Sequence, residues 1–303
     1  MANGNVDDIR VWVNGERVDA GPALAALDHG VTVGDGVFET AKVLGTEVFA
    51  LTRHHDRMDR SLRGLGLPRL DRGRIQEGID AVLADGPIDF GRLRYTVTAG
   101  PGPMGSDRYD PDMTYIVGAA PAPRPEPSTS VAVVPWTRNE RSAVVGLKTT
   151  SYAENVVALA AAKDLGGSEA IFANSVGALC EGTGSNIFVV LDGTVLTPAL
   201  PSGPLAGITR ALTIEWLTEA GIDVHEDELP LSILAEADEA WLTSSTRDIQ
   251  AISQVRVAGS SSSLAGQIAA ANISERTFGT APGEITQRAQ EIWAKFSAER
   301  MDP

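Results

Sequence analysis

Apolar and polar residues alternate through Ile9-Arg10-Val11-Trp12-Val13, and Asn14-Gly15 follows. That pattern predicts a strand entering a tight hairpin, with Arg17-Val18 returning. Asp28-His29-Gly30 predicts a turn. The stretch Gly34-Asp35-Gly36-Val37-Phe38-Glu39-Thr40 leads into a β-rich run through Leu44, broken by Gly45-Thr46 and resumed over Val48–Leu51 as a hairpin partner. The glycines serve either as turn residues or as places where backbone approaches a ligand. The period then changes. Thr52 is a predicted N-cap for a helix with Met58, Leu62 and Leu65 on one face, and a second helix over Arg74–Leu83 turns Ile75, Ile79, Val82 and Leu83 inward. Alternation returns in Arg92–Thr98, with Leu93, Tyr95 and Val97 on one face and Arg94, Thr96 and Thr98 on the other. A Gly/Pro loop over 100–105 precedes a strand at Met113–Gly118.

Residues 119–128 contain four prolines and no apolar period. They predict a linker, with a first domain over 1–118 and a second over 129–303. In the second, strands are predicted at Ser130–Pro135 and through Ala143-Val144-Val145, then a buried alanine-rich helix over Ala153–Leu165. Strands follow at Glu169–Ala173 and Asn186–Leu191, with Asp192-Gly193 as a hairpin turn. Thr209–Ala220 is a predicted helix, and its Gly207/Thr209 start is a natural phosphate seat. Glu239–Leu242 predicts a strand ending in the hydroxyl-rich Thr243–Thr246. Ser260–Ser263 predicts a low-complexity turn. A last helix over Glu284–Arg300 places Ile285, Ala289, Ile292, Trp293 and Phe296 on one stripe.

The chain has 303 residues and a net charge of −15. That balance argues against a nucleic-acid partner but leaves room for a small anion in a locally positive pocket. The single cysteine, Cys180, excludes an intrachain disulfide and fits a reducing cytoplasm. The N-terminal segment lacks the apolar centre of a signal peptide, and no apolar run is long enough to span a membrane. His54 and His55 are neighbours on a predicted helix. They point about 100° apart, which is poor metal-ligand geometry, so no metal site is expected.

Only four lysines occur: Lys42, Lys148, Lys163 and Lys295. Lys148 stands between a predicted apolar strand and a predicted apolar helix. It is either a lysine at a strand end or one kept for chemistry arginine cannot perform, since a desolvated lysine can lose its proton and form an imine. Glu181 lies in a loop of small residues, Leu179-Cys180-Glu181-Gly182-Thr183-Gly184-Ser185-Asn186, against which a planar ligand can rest. Arg94, in mid-strand on a polar face, is either solvated or placed to hold a carboxylate.

Six motifs in order, GDGVFET at 34–40, HHDRM at 54–58, Lys148, LCEGTGSNIF at 179–188, PLAGITR at 204–210 and WLTSSTRDI at 241–249, resemble the class IV aminotransferases, the fold-type IV group of pyridoxal-phosphate (PLP) enzymes. The resemblance implies an α/β (α+β) fold of two domains, a small α/β domain and a larger pseudo-barrel domain, with the active site between them and a homodimer completing it. It implies that Lys148 is the Schiff-base lysine and proton shuttle and that Glu181 pairs with the pyridine nitrogen. Arg57 would bind the phosphate with Ile208, Thr209 and Ser245. Leu205 would pack on the ring, and Tyr152 would bond the ring hydroxyl. Arg94, Arg108 and Arg247 are the candidates for substrate carboxylates. Ala99 stands where D-amino acid transaminases carry a carboxylate-binding arginine. DHG at 28–30, GVFET at 36–40, RLRYTVTAG at 92–100 and ADEAW at 237–241 look most like aminodeoxychorismate lyases of folate synthesis. Branched-chain or D-amino acid transamination is the alternative, and a non-catalytic PLP-binding protein a remote one.

Overall fold

The computed structural model describes residues 8–19, 21–108, 112–257 and 274–303, so Ser260–Ser263 lies outside the described residues. The chain divides into two compact units. The first comprises Met1–Arg124, Leu147–Tyr152 and Arg300–Pro303; the second comprises Pro125–Gly146 and Ala153–Glu299.

In the first unit, strands β1 (Arg10–Val13), β2 (Glu16–Arg17), β3 (Gly36–Gly45), β4 (Glu47–Val48), β5 (Ile88–Thr98) and β6 (Thr114–Pro121) form an antiparallel sheet in the order β2-β1-β6-β5-β3-β4. Leu93, Tyr95 and Val97 face the core, where they meet Met58 and Leu62 of α2 (Leu51–Gly64) and Ile75, Ile79 and Val82 of α3 (Arg72–Leu83). Each fully buried side chain of this size contributes about 2 kcal/mol. Asp71 caps α3 through the Arg74 N–H. The Asp28 turn opens a single helical turn, α1 (His29–Thr32), with the Asp28 side chain as its cap.

The start of α2 differs from expectation. Leu51 is already helical, Ala50 takes the left-handed N-cap position at φ 54°, and Thr52 lies inside the helix. The cap comes from the far end of the chain: Asp302 accepts from the Thr52 N–H at 3.0 Å and from its hydroxyl at 2.6 Å.

The described end of β6 also runs further than predicted. Ala119 pairs with both Arg10 and Leu93, and the strand continues to Pro121. Because β1 stops opposite Ala119, the last two residues have one free side, where a proline lacking its N–H is tolerated.

Segment 147–152 belongs to this first unit although it follows β7 (Ser128–Arg138) in the chain. It occupies the edge of β3: Phe38 N–H donates to the Lys148 carbonyl at 3.0 Å, and Thr150 N–H donates to the Gly36 carbonyl at 2.8 Å. The Thr150 hydroxyl reaches the Gly34 carbonyl at 2.8 Å. Gly34 has φ +70°, and a Cβ there would lie 2.5 Å from the Ser151 hydroxyl. The Gly34/Gly36 motif thus seats the lysine-bearing segment against β3.

In the second unit, β8 (Glu169–Asn174), β9 (Leu179–Gly182), β10 (Asn186–Leu191), β11 (Thr194–Pro198), β12 (Val224–Asp227), β13 (Glu239–Ser244) and β14 (Asp248–Val257) join β7 in the order β12-β11-β10-β13-β14-β7-β8-β9, and β15 (Arg276–Thr277) pairs with β14. The sheet is mixed: β7 runs parallel to β8 and β14, and β11 parallel to β12. Helix α4 (Ala153–Asp164) packs on β7 and β8, with α5 (Ile208–Glu219), α6 (Ile233–Glu236) and α7 (Glu284–Glu299) completing the helices named here. Trp216 of α5 packs on Trp293 of α7 with ring centres 4.7 Å apart. Glu239 caps α7, accepting from the N–H groups of Ile285 at 3.0 Å and Thr286 at 2.7 Å.

Two expectations fail in this unit. Ala143–Val145 form an exposed turn, not a strand. Helix α4 is buried only along Asn155, Ala158 and Ala162, while Val156 and Val157 are 66% and 54% exposed. Both stretches are apolar without a β or helical period, so hydrophobicity alone misleads. Among the described residues no helix is long and apolar enough to cross a membrane.

Candidate active site

Lys148 heads the first unit's set of chemical groups. Its backbone N–H donates to the Ser61 hydroxyl of α2 at 3.1 Å, which pins the residue between helix and strand. Its Nζ lies 4.4 Å from the Phe38 ring centre and 3.5 Å from the Tyr152 hydroxyl. Tyr152 meets Phe38 edge-on at 5.0 Å. The guanidinium of Arg94 lies 3.7 Å from the same Phe38 ring. One aromatic ring therefore holds both the amine of Lys148 and the guanidinium of Arg94. Although Arg94 is exposed as a residue, partial desolvation of its guanidinium pulls its pKa down, with Tyr152 opposing and the charge of Arg92 adding to the depression.

Arg57 is buried in α2 and is gripped by Glu39 of β3: Nε donates to Oε1 at 2.8 Å and Nη2 to Oε2 at 2.6 Å. His54 Nδ1 lies 2.7 Å from the same Oε2. Burial alone would raise the Glu39 carboxyl, but the charge and hydrogen bonds of Arg57, with His54, outweigh it and hold the pKa at about 2. Burial lowers the pKa of His54 against the pull of Glu39, and lowers that of His55 to about 4. This bidentate grip fixes the guanidinium plane of Arg57. Glu39 was missed as a site residue. Its signal is a lone carboxylate on the inward parity Val37, Glu39, Ala41, Val43, whose other members are fully buried apolar residues.

Arg108, a candidate for substrate, is already engaged. It forms a forked pair with Asp35 and donates to the Leu65 carbonyl. In the second unit Arg247 is likewise engaged: it donates to Glu169 at 2.8 Å and to Gln250 at 2.6 Å. Glu169 in turn accepts from the Thr183 hydroxyl and the Gly184 N–H, both at 2.6 Å, so the Arg247–Glu169 pair shapes the loop after Glu181.

Glu181 of β9 is held from two sides. The Leu205 N–H donates to Oε2 at 3.0 Å, and Arg138 Nε lies 3.2 Å from Oε1. Arg138 stacks on Phe172 at 4.1 Å and donates to Glu154 at 2.8 Å. A guanidinium at its back favours the ionised form of Glu181, suited to a cationic ring nitrogen. Arg138, too, was not among the predicted residues; nothing in its local sequence separates it from a surface arginine.

Ile208 and Thr209 are buried at the first turn of α5, whose N-cap, Gly207, brings no side-chain cap. Asn186 Nδ2 donates to the Leu205 carbonyl at 2.8 Å, and a Cβ on Gly207 would fall 1.9 Å from Asn186 Oδ1. Only glycine fits, and the first N–H groups of α5 keep the positive end of the helix open to an anion. Thr243, opposite Asn186 in the β10–β13 register, has a buried hydroxyl with no hydrogen-bond partner among the described residues. Ser245 follows in the half-buried turn after β13. An uncapped helix start and an unpartnered buried hydroxyl are what a phosphate group would satisfy, and a held carboxylate is what a pyridinium would need. The residues therefore fit PLP.

Residues 36–255 match the family model described as amino-transferase class IV. A putative branched-chain-amino-acid aminotransferase of Methanocaldococcus jannaschii is 32% identical over 82% of this chain and 88% of its own. The aminodeoxychorismate lyase of Bacillus subtilis is 28% identical over 94% of both chains. Among solved structures, the branched-chain aminotransferase of Thermoproteus uzoniensis with norvaline aligns at TM-score 0.82 and 25% identity, covering 96% of this chain and 95% of that one.

Proposed function

The chain belongs to the class IV aminotransferases, a family of PLP-dependent enzymes, and from that premise we propose that it is an aminodeoxychorismate lyase, releasing 4-aminobenzoate and pyruvate. The observation that carries this reading is the end-to-end match to the Bacillus subtilis lyase, 94% of both chains, joined to a lysine amine that shares one aromatic ring with a substrate-type guanidinium.

In this reading Lys148 would hold the cofactor through Nζ, and the same Nζ would take the proton from the amine-bearing carbon of the substrate. The Tyr152 hydroxyl, 3.5 Å away, orients that amine. When bound, PLP supplies the electron sink for the pair left behind by that proton. Glu181 holds the ring nitrogen, Leu205 packs on the ring, and Arg57, Ile208, Thr209 and Ser245 bind the phosphate. Arg94 takes a substrate carboxylate. In the lyase reaction the released electron pair expels the enolpyruvyl group through its ring C–O bond. The six-membered ring becomes aromatic, and the departing enolate collects a proton at its terminal carbon to become pyruvate.

A second reading, branched-chain transamination, is favoured by the 32% identity to the Methanocaldococcus jannaschii protein. Ala99, lacking a guanidinium, disfavours D-amino acids. The chain acts as a cytoplasmic homodimer, a reading supported by the outward valines of α4 and by a single cysteine, Cys180, that is buried and free.

The test is a side-by-side assay of the purified protein with aminodeoxychorismate, followed by 4-aminobenzoate formation, and with branched-chain or D-amino acids plus 2-oxoglutarate. Rapid 4-aminobenzoate release with negligible amino transfer supports the lyase; the reverse replaces it with the transaminase. Lys148→Ala should lose the visible absorbance of the bound cofactor and turnover together, and an active, coloured variant would refute the role of the lysine.

A further inference from the structure

Of the three arginines expected to meet substrate carboxylates, Arg108 and Arg247 are committed to Asp35 and Glu169. Arg94 remains, and beside it stands a residue that the sequence reading passed over. Arg92 lies two positions before Arg94 on β5, so both side chains leave the same face of the strand, their Cα atoms about 7 Å apart. Both are exposed. Their spacing along the strand is what places the two guanidinium groups as neighbours, and the charge of Arg92 adds to the lowering of the Arg94 pKa. In the adjoining strands Arg94 faces Thr40 and Gly118, while Arg92 faces Lys42 and Ala120. On the β6 side the neighbours are small, leaving open ground beside the two guanidinium groups. On the β3 side the neighbour of Arg92 is Lys42, whose side chain is buried with Nζ 4.7 Å from the Phe49 ring centre.

Like charges at neighbouring positions of a sheet repel. A chain with 40 acidic and 25 basic residues has carboxylates in excess, yet among the described residues none forms an ion pair with Arg92 or Arg94. The Lys148 amine and the Arg94 guanidinium both rest on Phe38, and Arg92 lies one step further along β5.

We propose that Arg92 and Arg94 form a paired-guanidinium floor that selects amino substrates carrying two carboxylates, Arg94 binding the nearer carboxylate and Arg92 the farther. This rests on the PLP-dependent reading above and adds to it a residue, Arg92, that reads the second carboxylate. A monocarboxylic amino acid engages Arg94 alone, whereas a dicarboxylate also relieves the Arg92–Arg94 repulsion. Arg92 is therefore a specificity-determining residue.

The test uses two non-reacting probes, isophthalate and benzoate, titrated calorimetrically into the PLP-loaded protein, its Arg92→Leu variant and its Arg92→Lys variant. One additional charged hydrogen-bonded pair corresponds to about a tenfold gain. Wild type should bind isophthalate at least about tenfold more tightly than benzoate, Arg92→Leu should bring the two within about twofold by lowering isophthalate affinity alone, and Arg92→Lys should restore part of the difference. Equal binding of the probes by wild type, or an undiminished preference in Arg92→Leu, overturns the proposal. Circular dichroism of the variants reads folding separately. A wild type that prefers isophthalate but produces no 4-aminobenzoate from aminodeoxychorismate sinks the lyase reading and leaves the two-carboxylate site standing. A working lyase without the preference does the opposite.

Discussion

Arg57, proposed above to bind a phosphate, has two of its nitrogens on Glu39. The pairing makes physical sense because an isolated buried guanidinium is far costlier than a paired one. Glu39 keeps the arginine charged and its guanidinium plane fixed inside the protein. Replacing the carboxylate by an amide keeps the shape and removes the charge. Glu39→Gln should therefore cost about 3 kcal/mol or more in a urea titration, in the range found when one partner of a buried ion pair is removed. The same variant should weaken PLP binding about tenfold, since a misaimed guanidinium loses one charge-assisted bond. A variant with unchanged urea midpoint and cofactor affinity would mean that His54 and the helix alone hold Arg57. Arg247 gives the opposite forecast. Its charge is used on Glu169, so Arg247→Leu should lower stability and leave the Michaelis constant for substrate unmoved, whereas Arg94→Leu should raise that constant about tenfold. Steady-state kinetics on the two variants separates them. Sequence could nominate Arg94, Arg108 and Arg247 equally, because an arginine's partner is a tertiary fact; only Asp35 and Glu169 tell them apart.

Helix α2 carries Arg57, His54 and the serine that pins Lys148, so the stability of its first turn matters to the chemistry. That turn has no local cap. Asp302 supplies one, with its negative charge at the positive end of the helix, and the Met301 carbonyl accepts from the Ala50 N–H at 2.8 Å. Asp302→Ala should cost about 1 kcal/mol, the usual value of a lost N-cap. Hydrogen exchange should speed up at the amides of Thr52 and Arg53 and not at the Asp71-capped start of α3. Equal protection at α2 in both proteins would show the cap to be idle. The contrast between α2 and α3 also marks what a sequence can disclose about elements. Asp71 caps its own helix from three residues away, a purely local contact, although the sequence reading named no cap there and began the helix at Arg74; the alternating faces of β5 were legible as local pattern. The α2 cap lies 250 residues away, and Thr52, a good N-cap by composition, was chosen in its place. Ala143–Val145 misled for a related reason: their apolarity indicates burial only when a period says which face is buried, and three consecutive apolar residues have none. The proposed chemistry rests on residues that motifs name, and its supports rest on the fold. Lys148, Glu181 and the Gly207 helix start stand in motifs whose residue types the chemistry itself constrains, while Glu39, Arg138 and Arg92 act through neighbours that only the fold supplies.

At the scale of the molecule, two electrostatic effects compete on acidification, and they predict opposite trends. A net charge of −15 at pH 7 with a pI near 4.7 means that lowering the pH relieves self-repulsion and should stabilise the fold. The buried groups act the other way. His54 and His55 both have folded pKa values below the ordinary 6.5, that of His55 at about 4, and Glu39 lies at about 2 against an ordinary 4.5. In each case the unfolded chain takes up the proton at the higher pH, so acid favours unfolding. The His55 contribution is complete above pH 6.5 and is lost as the pH falls towards 4; the Glu39 contribution is complete above 4.5 and is lost towards 2. Diffuse surface repulsion is screened by salt, whereas buried groups at short range are not. The local terms should win: the urea midpoint should be level from pH 8 to 7, fall below about 6.5 and fall further below about 4.5, with little response to added salt. A midpoint that rises towards the pI, or a pH 7 midpoint that climbs steeply with salt, would show that net charge governs. Glu39→Gln separates the two steps, because it should remove the decline below about 4.5 while leaving the one that begins near 6.5.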